Sequence, residues 1–251
     1  MTRTEAMPAE ESFQEGQGRF GENPAPKPKS QVVRLKPAKV NRAQLSQVAI
    51  LEAALQLFST QGYHGTSIRE IAAEAGVSTG NVYHHFPDKE TLFKSLLDQY
   101  WDYVGDPSAP FNKALAEGAF PFDLEKLAQA AEQSARTYRR HMNLIYVDVV
   151  EFQGTHLRKY FSEMPDRFHA MLSKHYPGDL LKESLAPECT PKTAVMLACR
   201  VFLQYFAVEI LFGVTGQFGL DTATSIAETA NILRYGMLRP AEPTALKVGS
   251  R

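Results

Sequence analysis

The sequence has few cysteines, few strand signals and no long uninterrupted apolar run. Only two of its 251 residues are cysteine, and the ten-residue spacing of Cys189 and Cys199 fits neither a paired zinc motif nor a redox pair. We interpret both cysteines as buried or idle thiols of a protein in the reducing cytoplasm. The longest apolar stretch, residues 201–214, is interrupted by Gln204 and Glu209, so we expect no membrane span. Because no positively charged start precedes an apolar run, we also expect no secretory signal and a cytoplasmic protein.

Patterns typical of catalysis or metal binding are also scarce. His84, His85 and Asp88 superficially resemble a metal cluster, but adjacent residues of a helix point about 100° apart. The other histidines lack the i, i+4 pairing of a helical metal site, and the glycines at 213, 216 and 219 do not match a dinucleotide-binding fingerprint. We therefore predict that the protein is not an enzyme and holds no cofactor and no metal ion.

What the sequence does contain is helical periodicity, with 44% hydrophobic residues to build a core. Before the first third of the chain ends, apolar residues recur at steps of three and four: Ile68, Ile71, Ala72 and Ala75. Ser67 and Glu70 have the spacing of a capping box, and Gly76 is typical of a helix end. Ser78 offers a second N-cap. Two short helices joined by a turn with glycine predict a helix-turn-helix.

The second of these helices has an unusual outward face. Its outward residues are small, polar or aromatic, and none is aliphatic: Thr79, Gly80, Asn81, Tyr83, His84 and His85. Small residues at a helix N-terminus let backbone N–H groups approach phosphate, while Tyr and His reach sugar-phosphate and base edges. This face predicts DNA binding. The alternative is an ordinary helical hairpin with a polar face.

The runs TSIREIA, AGVS, GNVYHHF and DKETL resemble, in sequence and spacing, the DNA-binding domain of TetR/AcrR-family transcriptional regulators over about residues 43–104. The resemblance implies an all-α protein with an N-terminal three-helix helix-turn-helix domain and a C-terminal helical ligand-binding and dimerisation domain. It implies phosphate contacts from Thr66 or Ser67, Tyr83, His84 or His85, and Lys89. It implies base contacts from Arg69, Ser78, Thr79, Gly80 and Asn81. Pro87 stands where the family often has a polar residue, and we expect it to fix the entry to the next helix.

The first 42 residues predict a disordered basic arm, since they contain five prolines and no sustained period. Its later part carries six cations and no acid: Lys27, Lys29, Arg34, Lys36, Lys39 and Arg42. Residues 43–104 instead carry three basic and seven acidic residues, a formal charge of −4. Because phosphate attraction dominates non-specific affinity, we hypothesise that the arm lies along DNA or in a minor groove. The alternative is a solubilising tail.

The remaining chain predicts a helical domain over residues 105–240 and a polar tail over 241–251. Residues 106–121 indicate a loop with one turn at most, and Pro165 indicates a kink or break in its helix. The expected helices span about 43–61, 88–104, 122–141, 142–153, 155–175, 191–213 and 221–238. In the first of them, the predicted buried stripe is Val48, Leu51, Leu55 and Phe58.

The helix at 191–213 is apolar around most of its circumference and must be covered on nearly all sides. The resemblance implies that this helix and the helix at 221–238 together form the homodimer interface with a second copy of the chain. In the helix at 221–238, the predicted stripe is Ile226, Ala230, Leu233 and Met237. The alternative is a buried central helix in a monomer. Two recognition helices related by a twofold axis would bind a palindromic operator on double-stranded DNA.

The sensing function is the least specified part. Aromatic and polar residues of the middle helices are candidates to line an effector cavity: Trp101, Tyr146, Phe152, His156, Phe202 and Tyr205. The resemblance implies a ligand-responsive regulator, a repressor released from its operator by a small apolar or amphipathic effector. The alternative is a helical small-molecule-binding or protein-interaction module that does not read DNA specifically.

Overall fold

The structure, a computed structural model, describes residues 42–176 and 178–238. Within these ranges it contains eleven α-helices and no β-strand. The helices are α1 Arg42–Gln61, α2 Ile68–Glu74, α3 Thr79–His85, α4 Lys89–Gly105, α5 Pro110–Ala116, α6 Leu124–Thr137, α7 Arg139–Phe152, α8 Arg158–His175, α9 Leu180–Ser184, α10 Pro191–Leu211 and α11 Thr222–Met237. The tail at 241–251 and five of the predicted arm cations lie outside the described residues: Lys27, Lys29, Arg34, Lys36 and Lys39. The sixth, Arg42, begins α1.

Helix α1 corrects the predicted stripe. Leu55 and Phe58 are buried, but Val48 is 59% exposed, and the inward face is instead completed by Ile50, Ala53 and Ala54. The reason is that α1 contacts α7 and α4 as well as α2 and α3, so its buried face is wider than one partner would need and is rotated away from Val48. Small alanines on that face allow close approach of the neighbouring helix.

Helix α4 connects the N-terminal helices to the rest of the chain. The carboxylate of Asp88 caps it by accepting a hydrogen bond from the Thr91 N–H at 2.6 Å. Its inward side chains are fully buried: Leu92, Phe93, Leu96, Leu97, Tyr100 and Trp101. Since α4 packs on α1, α5 and α7, a displacement of this helix changes its contacts with both halves of the protein.

Several predicted boundaries in the C-terminal half are wrong. Pro110 begins α5 at the position where a missing N–H has no cost, in a stretch expected to be a loop. The break predicted after His141 lies at Tyr138, which ends α6 and precedes α7. Helix α8 continues through Pro165 without a break. The five-residue helix α9 was not predicted at all.

Helix α10 packs mainly on α6 and also contacts α7, α8 and α11. It is 21 residues long and apolar enough to cross a membrane by length and composition alone. The apolar helix is therefore longer than the apolar stretch at 201–214 that the sequence suggested. The core helix of a folded domain has the same composition, and Val195, Phe202 and Phe206 of α10 are buried in the hydrophobic core. We therefore assign it to the core.

Helix α11 corrects the stripe predicted for dimerisation. Ala230 and Met237 are buried against the helix's own chain, because α11 packs on α6 and α10. The exposed apolar side chains of α11 are instead Ile232, at 72% exposed, and Tyr235, at 84%. Further exposed large apolar side chains lie in α10 and the segment after it: Leu197, Phe212, Val214, Phe218 and Leu220.

Candidate nucleic-acid interface

The predicted capping box of α2 is confirmed in both directions. The Ser67 hydroxyl accepts a hydrogen bond from the Glu70 N–H at 3.2 Å, and the Glu70 carboxylate accepts one from the Ser67 N–H at 2.8 Å. Hydrogen bonds from Ser67 lower the pKa of the Glu70 carboxyl. The start of α2 is therefore fixed by residues only three apart in the sequence.

The turn between α2 and α3 is also set locally. Gly76 adopts a φ of +66°, in the left-handed region that favours glycine. The hydroxyl of Ser78 then caps α3 by accepting from the Asn81 N–H at 3.2 Å. On the inward side of α3, Val82 and Phe86 are buried. Two turns of helix are thus anchored by two apolar side chains, which leaves the opposite side free.

Most of the predicted DNA-contacting residues share this free surface. The exposed ones are Ser67 and Arg69 of the α2 start and Ser78, Thr79, Gly80, Tyr83 and His84 of α3. Tyr83 is 55% exposed although it is a large aromatic side chain. Asn81 and His85 are half-buried, and the rings of His84 and His85 contact each other edge to face at 5.3 Å. These nine residues we call the recognition surface.

Two residues of the predicted set lie elsewhere. Thr66 is 2% exposed, and its hydroxyl donates to the Gly62 carbonyl at 2.8 Å, so its side chain is not part of the recognition surface. The Lys89 ammonium donates to the carbonyls of Tyr63 at 2.8 Å and Thr66 at 2.7 Å. Burial lowers the pKa of Lys89, opposed by the charges of Glu151 and Glu70.

Sequence reasoning missed the residues that support this unit from the C-terminal half. The Tyr63 ring lies under the Lys89 ammonium at 4.1 Å and contacts the Phe152 ring of α7 at 4.5 Å. Two acids of α7 support the N-terminal half: Glu151 accepts hydrogen bonds from the backbone of the α1–α2 turn, and Asp148 holds His156, whose other ring nitrogen lies 3.3 Å from Glu90 of α4. Asp148 and Glu151 stand among apolar residues in the second half of α7, which was a visible signal, but the partners of Glu151 are distant in the sequence.

The six residues predicted to line an effector cavity are spread over different parts of the described structure. Trp101 stacks on Tyr160 at 4.5 Å, with 18° between the ring planes. Phe152 and His156 contact each other at 4.7 Å beside Phe93 of α4. The others lie in α10, where Phe202 and Tyr205 are buried, and on α7, where Tyr146 is exposed beside Phe212.

A separate concavity of about 330 Å³ lies between α10 and α11. Its lining is mostly apolar and includes Ala194, Leu197, Ile232, Leu233 and Met237, and none of the six predicted residues contributes to it. In residues 42–176 and 178–238, no group of His, Cys, Asp and Glu side chains is arranged to hold a metal ion.

Comparison with known proteins agrees with this geometry. Residues 50–96 match the family model of bacterial regulatory proteins of the tetR family. The HTH-type transcriptional regulator AcrR of Shigella flexneri is 30% identical over 156 residues, which cover 57% of this chain and 73% of AcrR. The uncharacterized HTH-type transcriptional regulator YuxN of Bacillus subtilis is 31% identical over 102 residues, but the match spans 41% of this chain and only 30% of YuxN.

The fold has solved counterparts. NalD, the secondary repressor of the MexAB-OprM multidrug efflux pump in Pseudomonas aeruginosa, superposes with a TM-score of 0.53 at 23% identity, covering 78% of this chain and 98% of NalD. That likeness shows the fold, with an N-terminal helix-turn-helix and a helical C-terminal domain. The family match, the AcrR alignment and the exposed face of α3 together lead to one conclusion: the chain belongs to the TetR family of helix-turn-helix transcriptional regulators and is a DNA-binding regulator rather than an enzyme.

Proposed function

We propose that the protein is a ligand-responsive repressor that binds a palindromic operator as a homodimer and is released by a small apolar or amphipathic effector. The observation that carries this proposal is the contrast between two exposed surfaces. The recognition surface is polar and ends in Tyr83 and His84, whereas α11 exposes Ile232 and Tyr235. The first suits a phosphate-lined groove, and the second suits another protein surface.

On DNA, the roles follow from exposure and chemistry. Ser67, Tyr83 and one of His84 and His85 would contact phosphate, while residues of the α2 and α3 starts would read bases: Arg69, Ser78, Thr79, Gly80 and Asn81. Lys89 has three N–H donors, of which two are occupied by carbonyls. A phosphate would therefore take the third, so we propose that its contribution is smaller than that of a free lysine.

The dimer would cover the apolar side chains that the single chain leaves exposed. Ile232 and Tyr235 lie three residues apart on α11 and so share one face of the helix. Leu197 of α10 lines the same concavity as Ile232. A second copy related by a twofold axis would bury this face against itself and set the separation of the two recognition surfaces.

The basic arm is proposed to supply the attraction that the acidic N-terminal helices lack. Residues 43–104 carry a formal charge of −4, and the cations at 27–42 would neutralise phosphates beside the recognition surface. A chain lacking residues 1–41 should then bind DNA more weakly and with a shallower salt dependence. Equal affinity and an equal salt slope would leave the arm as a solubilising tail.

The effector site is proposed to lie in the C-terminal domain or where that domain meets α4. Two of the predicted residues, Trp101 and Tyr205, bury a polar atom, Nε1 and the hydroxyl, that has no hydrogen-bond partner among the described residues. Buried polar groups normally have partners, so an amphipathic effector that satisfied one of them would be favoured. Such an effector can weaken DNA binding only as far as it binds the DNA-free state more tightly, a coupling free energy of typically about 1–3 kcal/mol.

The test is selection of bound sequences from a random duplex library by the full chain, with Arg69→Ala and Arg140→Ala as matched variants. Both arginines are exposed, and both changes remove one positive charge. We expect the wild type to enrich a palindrome, Arg69→Ala to lose about 1–3 kcal/mol of discrimination at one position of each half-site, and Arg140→Ala to select the same palindrome. Weak, salt-sensitive binding with no enriched sequence would favour the module that does not read DNA.

A further inference from the structure

A carboxylate of the C-terminal domain reaches into the helix-turn-helix unit. Glu151, in the last turn of α7, accepts a hydrogen bond from the Tyr63 N–H at 2.9 Å and one from the His64 N–H at 2.6 Å. One oxygen serves each donor. The two partners lie 88 and 87 residues earlier in the chain, so this contact joins the two halves of the protein at the turn between α1 and α2.

The same turn is held from its other side by Lys89, the first residue of α4. The ammonium donates to the carbonyls of Tyr63 and Thr66 and lies 4.1 Å from the centre of the Tyr63 ring. The donors of the turn are thus bound by a carboxylate and its acceptors by an ammonium. Backbone bonds to charged groups are about twice as strong as neutral ones, so both sides of the turn are firmly fixed.

Gly62 shows how closely Glu151 approaches. Its φ of +77° lies in the left-handed region, and a Cβ added to it would stand 2.5 Å from Oε1 of Glu151. Glycine at 62 therefore suits the left-handed backbone conformation and leaves room for the carboxylate in its observed position. The sequence of the turn and the acid on α7 fit each other.

The turn governs the position of the recognition surface. Thr66 accepts from Lys89 through its carbonyl and directly precedes Ser67, the N-cap of α2. A second contact of α7 holds the start of α4, where Nδ1 of His156 lies 2.6 Å from Asp148 and Nε2 lies 3.3 Å from Glu90. Both ends of the segment that carries α2 and α3 are therefore tied to α7.

We propose that Glu151 is a positioning residue for DNA recognition: it fixes the α1–α2 turn, and with it α2 and α3, in the geometry that binds the operator. This inference rests on the proposed function. It assigns to one side chain of the C-terminal domain a role in specific DNA affinity, without contact to DNA.

The charge of Glu151 and its hydrogen bonds predict opposite changes in DNA affinity when the side chain is replaced. Glu151 is an acid in a protein that binds a polyanion, so loss of its charge alone should strengthen DNA binding. Loss of its hydrogen bonds should weaken specific binding, because the turn is freed. In Glu151→Gln the amide oxygen can accept from one backbone N–H, but the other N–H faces an NH2 group and loses its acceptor. The sign of the change therefore separates the two effects.

The experiment compares the full-length wild type with Glu151→Gln and with Glu183→Gln, an exposed acid on α9 that gives the same change in charge. We expect Glu151→Gln to weaken binding to the selected operator by about tenfold, with unchanged or slightly tighter binding to a random duplex. Glu183→Gln should leave operator affinity within about twofold. Without DNA, amide exchange at residues 63 and 64 should accelerate in Glu151→Gln while exchange in α10 stays as in the wild type.

Glu151→Asp provides a second variant that keeps the charge but shortens the side chain by one methylene. It should weaken operator binding in the same direction as Glu151→Gln, which electrostatics cannot explain. Operator affinity unchanged in both variants, or exchange at residues 63 and 64 unchanged, would overturn the inference while leaving the proposed function intact. A wild type that selects no sequence would instead overturn the proposed function, and this inference with it.

Discussion

The two halves of the protein expose different kinds of surface. In residues 42–105 the helices α2, α3 and α4 each begin with a side-chain cap, and the exposed side of α3 is polar apart from the Tyr83 ring. In residues 106–238 the helices α6, α10 and α11 also begin with one, whereas α5, α7, α8 and α9 begin without a side-chain cap. The exposed large apolar residues concentrate there as well, among them Val150, Ile232 and Tyr235. Local signals shape the first half, and packing, including that of a proposed second chain, shapes the other.

The largest expected effect tests the contrast between the buried core of the first half and its exposed recognition surface. Phe58 of α1 is fully buried and contacts the rings of Tyr63 at 5.7 Å and Phe93 at 5.4 Å. Phe58→Ala should lower the free energy of unfolding by about 3–5 kcal/mol, measured by urea denaturation. Tyr83→Ala, on the recognition surface, should change it by less than about 0.5 kcal/mol. Equal effects of the two changes would contradict the assignment of Tyr83 to an unpacked surface.

The next prediction concerns the apolar surface of the second half. In the proposed dimer, Ile232→Lys should raise the dissociation constant by about 100-fold or more, because an apolar contact of the interface would be replaced by a charge in both copies. Sedimentation velocity over a range of concentrations measures the constant. Leu180→Lys places the same charge on a residue of α9 that is equally exposed, and it should leave the constant unchanged. A common shift in both variants would place the interface elsewhere.

Acid should act through a histidine between the halves. Burial lowers the pKa of His141 from its ordinary 6.5 to about 4, so the folded protein holds this ring neutral. Because the unfolded chain takes up the proton first, stability is complete above about pH 6.5 and falls as the pH drops toward 4, by about 2 kcal/mol from this group. His141→Phe should flatten that part of the pH profile of urea denaturation. An unchanged slope would exclude His141 as its source.

The smallest expected effect tests local specification of the first half. Ser67→Ala removes the hydroxyl of the capping box and should lower the free energy of unfolding by about 1 kcal/mol. Ser46→Ala removes a hydroxyl that donates to the Arg42 carbonyl of its own helix and should have a smaller effect. Equal losses would mean that the cap adds nothing beyond an ordinary serine contact.

The same contrast explains how much the sequence predicted. Ser67, Glu70 and Ser78 were identified correctly because each acts on a residue three positions away. The stripe of α1 was wrong at Val48, since periodicity does not tell which of several helices a face will meet. The break at Tyr138 carries neither glycine nor proline and left no local signal.

The site divides in the same way. Exposure of Thr79 and Tyr83 followed from their position opposite Val82 and Phe86. The burial of Thr66 and the engagement of Lys89 with two carbonyls depend on how the α1–α2 turn folds back on α4. Glu151 was beyond sequence reasoning because its partners lie nearly ninety residues away.

The central claim is that a polar recognition surface is presented twice on DNA by a pair of chains. The most direct test is sedimentation of the full chain with the duplex that it selects, at concentrations above the dissociation constant. The account predicts two chains per duplex, and about one tenth or less of the wild-type affinity for the Ile232→Lys variant. A single chain bound to the duplex, with affinity unaffected by Ile232→Lys, would contradict it.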